Sequence, residues 1–222
     1  TLATLKGIIT RMNPMRKAVT NLAYFAALAL YSPVVVYRMI RHRRYRDGWP
    51  QRRGYIDRLN PQKPCLWIHA VSVGEVNATR TIIPALRQQF PDYEILLTAT
   101  TDTGLARARA LYERIITVSY FPFDVSWIME RAFDRIRPAA VLLLELEVWP
   151  NLARIAAERN IPVIVVNGRI SDRSFPKYLK IKGLIASTFR RVTLVLAQTQ
   201  EYADRFIALG CPHDCVRVTG SL

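Results

Sequence analysis

The segment His69-Ala70-Val71-Ser72-Val73-Gly74-Glu75 sets a carboxylate directly behind an apolar run, Cys65-Leu66-Trp67-Ile68, and ahead of a stretch with helical period. A turn from strand to helix in a parallel sheet lies on the carboxyl edge, where ligands bind, so an acidic side chain there is placed to act as a general base. A second acidic pair, Glu145 and Glu147, follows the most apolar run of the chain, Ala139-Ala140-Val141-Leu142-Leu143-Leu144. Two strand ends that carry carboxylates point to one shared site. The spacing Ser72-x-x-Glu75 also fits a capping box, in which serine and glutamate satisfy helix N-terminal amides. The two readings place opposite demands on the carboxylate. A base is sharpened by burial or by a neighbouring carboxylate, whereas a helix N-terminus favours the ionised form.

The elements that position these residues can be read from periodicity. From residue 65 onward, short apolar runs alternate with longer segments of helical period, the signature of a parallel sheet with crossover helices. Strands are expected at 65–71, 94–99, 115–119, 139–145, 162–167, 193–197 and 216–219. Helices are expected at 75–89, 103–113, 125–136, 150–159, 176–190 and 200–209. Gly210 reads as the stop of the last helix, ahead of Pro212. This is a doubly wound, Rossmann-like α/β domain over 65–222. No G-x-G-x-x-G follows the first strand, so a standard dinucleotide site is not supported.

Charge divides the chain. Its 222 residues carry a net charge of +15, of which residues 1–63 supply 13 Lys+Arg against 2 Asp, leaving the body nearly balanced. That distribution argues for a basic appendage and against a nucleic-acid-binding body. Ala18 to Tyr37 is a run of 20 residues without charge, bracketed by Arg16-Lys17 and by Arg38, Arg41, Arg43, Arg44 and Arg46. Such a run is long enough to span a bilayer core. The alternative is a broken hairpin or an interfacial helix lying in one leaflet, with its arginines on anionic head groups. The dense arginines after the run would keep the downstream domain cytoplasmic. We therefore expect a membrane-associated segment over 1–40 and a basic connector over 41–64. Three cysteines, Cys65, Cys211 and Cys215, form no disulfide framework and fit a reducing compartment. No residue cluster calls for a metal or other cofactor.

Further motifs align behind the first: Thr98-Ala-Thr-Thr101-Asp-Thr103-Gly104, Phe121-Pro-Phe-Asp124, Glu145-Leu-Glu147-Val-Trp149-Pro150-Asn151, Asn167-Gly-Arg169-Ile-Ser171-x-Arg173-Ser174, Ala197-Gln198 and Val218-Thr-Gly-Ser-Leu222. Together with His69-x-x-Ser72-x-Gly74-Glu75 they resemble the N-terminal half of the Kdo (3-deoxy-D-manno-octulosonic acid) transferases. The resemblance implies a GT-B glycosyltransferase that moves Kdo from CMP-Kdo onto the lipid A precursor, lipid IVA, at the cytoplasmic face of the inner membrane. It implies that this chain is the acceptor domain and that the C-terminal donor-binding domain lies outside it, so that the chain alone should not turn over.

The resemblance places the base on Glu75 and a second active-site carboxylate on Glu145. Ser72, Gly74 and Glu147 belong to the same substrate-facing edge. Thr101, Thr103 and Gly104, at a helix start, could offer amides and hydroxyls to an acceptor phosphate, and ordinary capping explains the same residues. Arg169, Ser171 and Arg173 have the chemistry to hold a phosphate or the Kdo carboxylate. The expected partners are the lipid A precursor, CMP-Kdo and an anionic membrane surface. A non-catalytic acceptor-binding module, and a GT-B enzyme with another lipid-linked acceptor, are the alternatives.

Overall fold

The computed structural model describes residues 47–222. The uncharged run Ala18–Tyr37 and its flanking arginines, on which the membrane expectation rests, lie outside the described residues. Among those described, no helix is long and apolar enough to cross a membrane.

Seven parallel strands form one sheet: β1 (Cys65–His69), β2 (Glu94–Ala99), β3 (Thr117–Tyr120), β4 (Pro138–Leu144), β5 (Val163–Gly168), β6 (Leu194–Ala197) and β7 (Val216–Val218). Their order is β3-β2-β1-β4-β5-β6-β7. The chain therefore starts in the interior, winds outward to β3, and returns to lay β4 against β1. Winding direction reverses at that pair, which is the topological switch point of an open sheet. Register brings the ends of the two strands level, with Ile68 beside Leu142 and His69 beside Leu143.

The connecting helices are α1 (Trp49–Arg52), α2 (Val73–Gln89), α3 (Asp102–Tyr112), α4 (Ser126–Ile136), α5 (Pro150–Glu158), α6 (Phe175–Lys180), α7 (Lys182–Phe189) and α8 (Gln200–Leu209). They cover both faces of the sheet, which is why β1 and β4 read as nearly continuous apolar runs instead of alternating. On one face Trp67, Leu96, Val141 and Leu143 pack against Met129 and Phe133 of α4 and Leu152 and Ile155 of α5. On the other, Ile68, Leu97 and Leu142 meet Val76 and Ile83 of α2 and Ala108 and Tyr112 of α3. A third cluster joins Val165 and Val195 to Phe189, Phe206 and Leu209.

Two differences from the sequence expectations bear on the site. The helix expected over 176–190 is two short helices, because Ile181 leaves the helical basin (φ −107°, ψ 14°) and serves as the C-cap of α6 and the N-cap of α7. A β-branched residue two positions before Gly183 is a weak point for a helix. The strand expected to run to Glu145 ends at Leu144, and Glu145 turns the chain with φ 56°.

The stretch set apart as a connector over 41–64 is, from Asp47 on, built into the body. Ile56 is fully buried in the core, and Gly48 and Gly54 take positive φ where a Cβ would strike the Tyr120 ring and the Ile128 carbonyl. Arg52 lies over the Tyr120 ring and pairs with Asp102 at 3.3 Å. Arg58 is buried and donates to Glu94 Oε2 at 2.9 Å, to the Ile136 carbonyl at 3.0 Å, and to Asn60 and Lys63 carbonyls. Glu94 in turn accepts from the Leu59 and Asn60 amides and the Thr117 hydroxyl. Composition marks the stretch as solvated because its arginines are counted one by one; folding places two of them against buried or half-buried acids.

Removing one partner of a buried ion pair leaves the other charge uncompensated. Glu94→Leu should therefore lower the unfolding free energy by about 3–5 kcal/mol, measured by urea denaturation.

Candidate active site

Glu75 opens α2 from its first turn. Ser72 is the N-cap, and its hydroxyl accepts from the Glu75 amide at 3.5 Å while donating to Glu75 Oε1 at 2.8 Å. Glu75 Oε2 accepts from the Val71 amide at 2.8 Å. The capping geometry is thus realised, and it locks the carboxylate in one orientation with only 8% of the residue exposed. An ionised carboxylate has about four lone-pair sites, so the two donors already engaged leave capacity for another.

The β1–β4 adjacency brings the second pair to the first. Burial, and after it the Glu75 charge, pushes the Glu145 carboxyl above the ordinary carboxylate range, and the Arg169 guanidinium pulls it back. Glu147 is pushed up to about 7 by burial first and by the charges of Glu75 and Glu145. The Glu75 charge thus acts on both Glu145 and Glu147, which puts the three carboxyls within electrostatic reach of one another. The Trp149 indole N–H stands close enough to favour ionised Glu147, yet it falls short of hydrogen-bond geometry and has no partner among the described residues. Glu145 holds a left-handed backbone (φ 56°), an uncommon and costly conformation for a residue with a Cβ. Its amide donates to the Val166 carbonyl at 3.0 Å, which fixes the turn.

An alternative account of Glu147, attraction to the start of α5, is not what the geometry shows. The first amides of that helix are taken by Asp124, whose carboxylate accepts from the Asn151 and Leu152 amides at 2.9 and 2.8 Å. Glu147 instead lines a cleft of about 450 Å³ with Val71, Thr100, Leu146, Trp149, Tyr178 and Phe189 among its walls. Tyr178 is held above its usual value by burial and by the Glu147 charge.

The other sequence-derived candidates divide. Gly74 has nothing nearer to an added Cβ than Ser72 Oγ at 3.8 Å, so the fold does not require glycine there and open space lies over the helix start. At Gly104 the fold does require it, because a Cβ would meet Thr101 Oγ1 at 2.8 Å and the Val71 carbonyl at 2.9 Å. Thr101 is the N-cap of α3, accepting from the Gly104 amide and donating to Val71 O, so both residues are engaged in tying α3 to the β1 turn. Thr103 is exposed and reaches only the Thr101 hydroxyl, at 3.5 Å. Ser171 bonds Ser174 and shapes the turn before α6. Arg169 and Arg173 are exposed on that loop. Arg205 braces the loop by donating to the Ile170 carbonyl and pairing with Asp172.

Two supporting residues escaped the sequence reading. Asp124 was visible only as part of a motif, and its capping of a helix 27 residues away needs the fold. His69 is fully buried, stacked on Phe121 at 3.7 Å and bonded through Nδ1 to Thr98. Burial drives its pKa down to about 3, so the ring is neutral and supports the end of β1 from within.

A sequence model of a family described as 3-Deoxy-D-manno-octulosonic-acid transferase (kdotransferase) matches residues 47–222. The chain belongs to the 3-deoxy-D-manno-octulosonic acid transferase family. Among its relatives, the 3-deoxy-D-manno-octulosonic acid transferase of Haemophilus influenzae is 32% identical over 82% of this chain and 43% of that protein. The enzyme of the same name from Chlamydia muridarum is 28% identical over 94% of this chain and 50% of its own length. The chain thus spans about half the length of the curated relatives it matches. Among solved structures, the UDP-GlcNAc 2-epimerase of Neisseria meningitidis superposes with a TM-score of 0.52 at 16% identity, over 71% of this chain and 47% of that one. That likeness extends to the fold alone, and it agrees with the doubly wound sheet.

The raised Glu147 carboxyl has a stability consequence for this family member. Between the unfolded value near 4.5 and the folded value of about 7 the native state holds the extra proton. Native stability from this group is complete below 4.5 and is lost as pH rises through 7. Glu147→Gln should match wild type in urea titrations below pH 4.5 and exceed it by on the order of 1–3 kcal/mol above pH 7.

Proposed function

We propose that this chain is the acceptor-binding half of a Kdo transferase, acting on a lipid A precursor with CMP-Kdo as donor at the cytoplasmic face of the inner membrane. The observation that carries the proposal is the convergence of Glu75 with Glu145 and Glu147 at the switch point, in a chain of this family. Sugar transfer with inversion needs the acceptor hydroxyl to lose its proton as it attacks the anomeric carbon and CMP departs. Glu75 is held in one orientation by Val71 and Ser72 and keeps lone pairs for that proton. Gly74 clears the approach above it.

Glu145 and Glu147 share the edge with Glu75, whose charge is one cause of the raised state of both carboxyls. Arg169, whose charge acts on Glu145, and Arg173, exposed on the same loop, carry the chemistry for the carboxylate of the sugar or a phosphate of the acceptor. The donor nucleotide is assigned to a second, C-terminal domain facing this edge, as in a GT-B arrangement. The apolar walls of the cleft suit a glycolipid better than a free sugar.

Two variants test this in the chain joined to a donor-binding second half, assayed for Kdo transfer from CMP-Kdo to lipid IVA in detergent. Glu75→Gln keeps an acceptor for the Val71 amide and should preserve the melting temperature, while transfer falls about 10²- to 10⁴-fold. Wild-type transfer by that variant would reduce Glu75 to a helix cap. Gly74→Ala should gain about 0.5–1 kcal/mol in stability and lose transfer, because the methyl group occupies space left for substrate. Undiminished transfer would show that the space is unused.

A further inference from the structure

The α6–α7 pair is two-sided. Tyr178, Ile185 and Phe189 face the cleft beside Glu147, while Leu179, Ile181 and Leu184 point the other way and are 41%, 43% and 76% exposed. No residue of α6 is buried. Three large aliphatic side chains turned to water within six residues are costly for a soluble surface; a second exposed set, Leu59, Phe90 and Ile115, lines a separate cleft together with Arg87 and Glu94. On the two helices themselves the charge is of one sign, and the flanking acids Asp172 and Glu201 are paired with Arg205 beside Phe175. Lys177, Lys180 and Lys182 interleave with the aliphatics and are exposed. From Arg173 to Gln200 the chain has six basic residues and no Asp or Glu.

We propose that the outer face of α6–α7 docks on an anionic lipid bilayer, with Leu179, Ile181 and Leu184 entering the interface and the three lysines on the head groups. Aliphatics flanked by lysines are what an interfacial helix presents to a membrane, since the lysine stems lie along the apolar layer while their ammonium groups reach the phosphates. Residues 175–189 carry three lysines and no acid, and the acids that flank them are already paired with Arg205, so the free charge of this face matches anionic head groups. Because the same helices wall the cleft, contact on this face sets the cleft mouth at head-group level, beside Glu147. The break at Ile181 makes the arrangement possible by re-aiming the second helix. This surface lies at 175–189 in the sequence, and its protection is read out separately from the uncharged run at 18–37. Its biological sense rests on the lipid-linked acceptor proposed above.

The test is amide hydrogen exchange of the full chain on vesicles that contain no acceptor, so its outcome is independent of transfer activity. On phosphatidylglycerol vesicles residues 175–189 should exchange more slowly than in solution. Protection should fade with added salt and be absent on phosphatidylcholine vesicles. Each of Lys177→Gln, Lys180→Gln and Lys182→Gln should lower the vesicle partition roughly fivefold. Replacing Leu179, Ile181 and Leu184 by Gln should remove the protection without lowering the melting temperature, because these side chains are exposed. If the chain binds vesicles while 175–189 exchanges as in solution, the face serves another partner and the proposal fails. It fails equally if protection is the same on neutral vesicles, or if the chain does not bind.

Discussion

The parallel pairing of β1 with β4 is the constraint on which the rest of the molecule depends. It exists because the chain leaves β1, builds two strands outward, and must return to the only unpaired edge of β1. Both strands are then covered on both faces, and their side chains have to be apolar. At their carboxyl ends the cover stops and the turns that follow face each other across the switch point. Any carboxylates in those turns must lie close together. Here there are three, and their mutual repulsion combined with burial raises two of them.

That repulsion is sustained by scaffolding with little freedom. Glu75 is pinned by an amide and a hydroxyl, Glu145 by a left-handed turn bonded to β5, and the start of α5 by Asp124. Behind them a layer of aromatic side chains, Trp67, His69, Phe121 and Trp149, packs together across three segments of the chain. The neutral His69 belongs to this layer and brings no charge to it. A site that keeps like charges together needs such a rigid surround, since side chains free to rotate would relax away from one another. The capping box and the catalytic reading of Glu75 are consequently compatible: the cap is what holds the carboxylate in place.

The incoming chain fastens both edges of the sheet. Arg58 and Glu94 link it to the start of β2 and the end of α4 on the edge away from the site, and Arg52 links it to the start of α3 on the carboxyl edge. The arginine-rich stretch ahead of β1 is therefore, from Asp47 on, a clamp across the sheet. The family match starts at the same residue.

The sequence by itself determined the fold class, the seven strands to within two residues at most boundaries, and the two acidic turns, because apolar runs of strand length separated by helical periods leave little choice in a covered parallel sheet. It also determined that Ser72 and Glu75 start a helix, since capping is a local matter of three residues. Only the tertiary structure decided which turns meet. Strand order is set by long-range pairing, and a residue such as Asp124 reveals its purpose only when α5 arrives beside it. In the same way, Thr101, Gly104 and Ser171 read like ligand-binding residues in sequence and are engaged within the fold, whereas Gly74 is free of such a duty. The difference is one of distance through space: local spacing fixes what a residue can bond, and packing fixes what remains for it to bond.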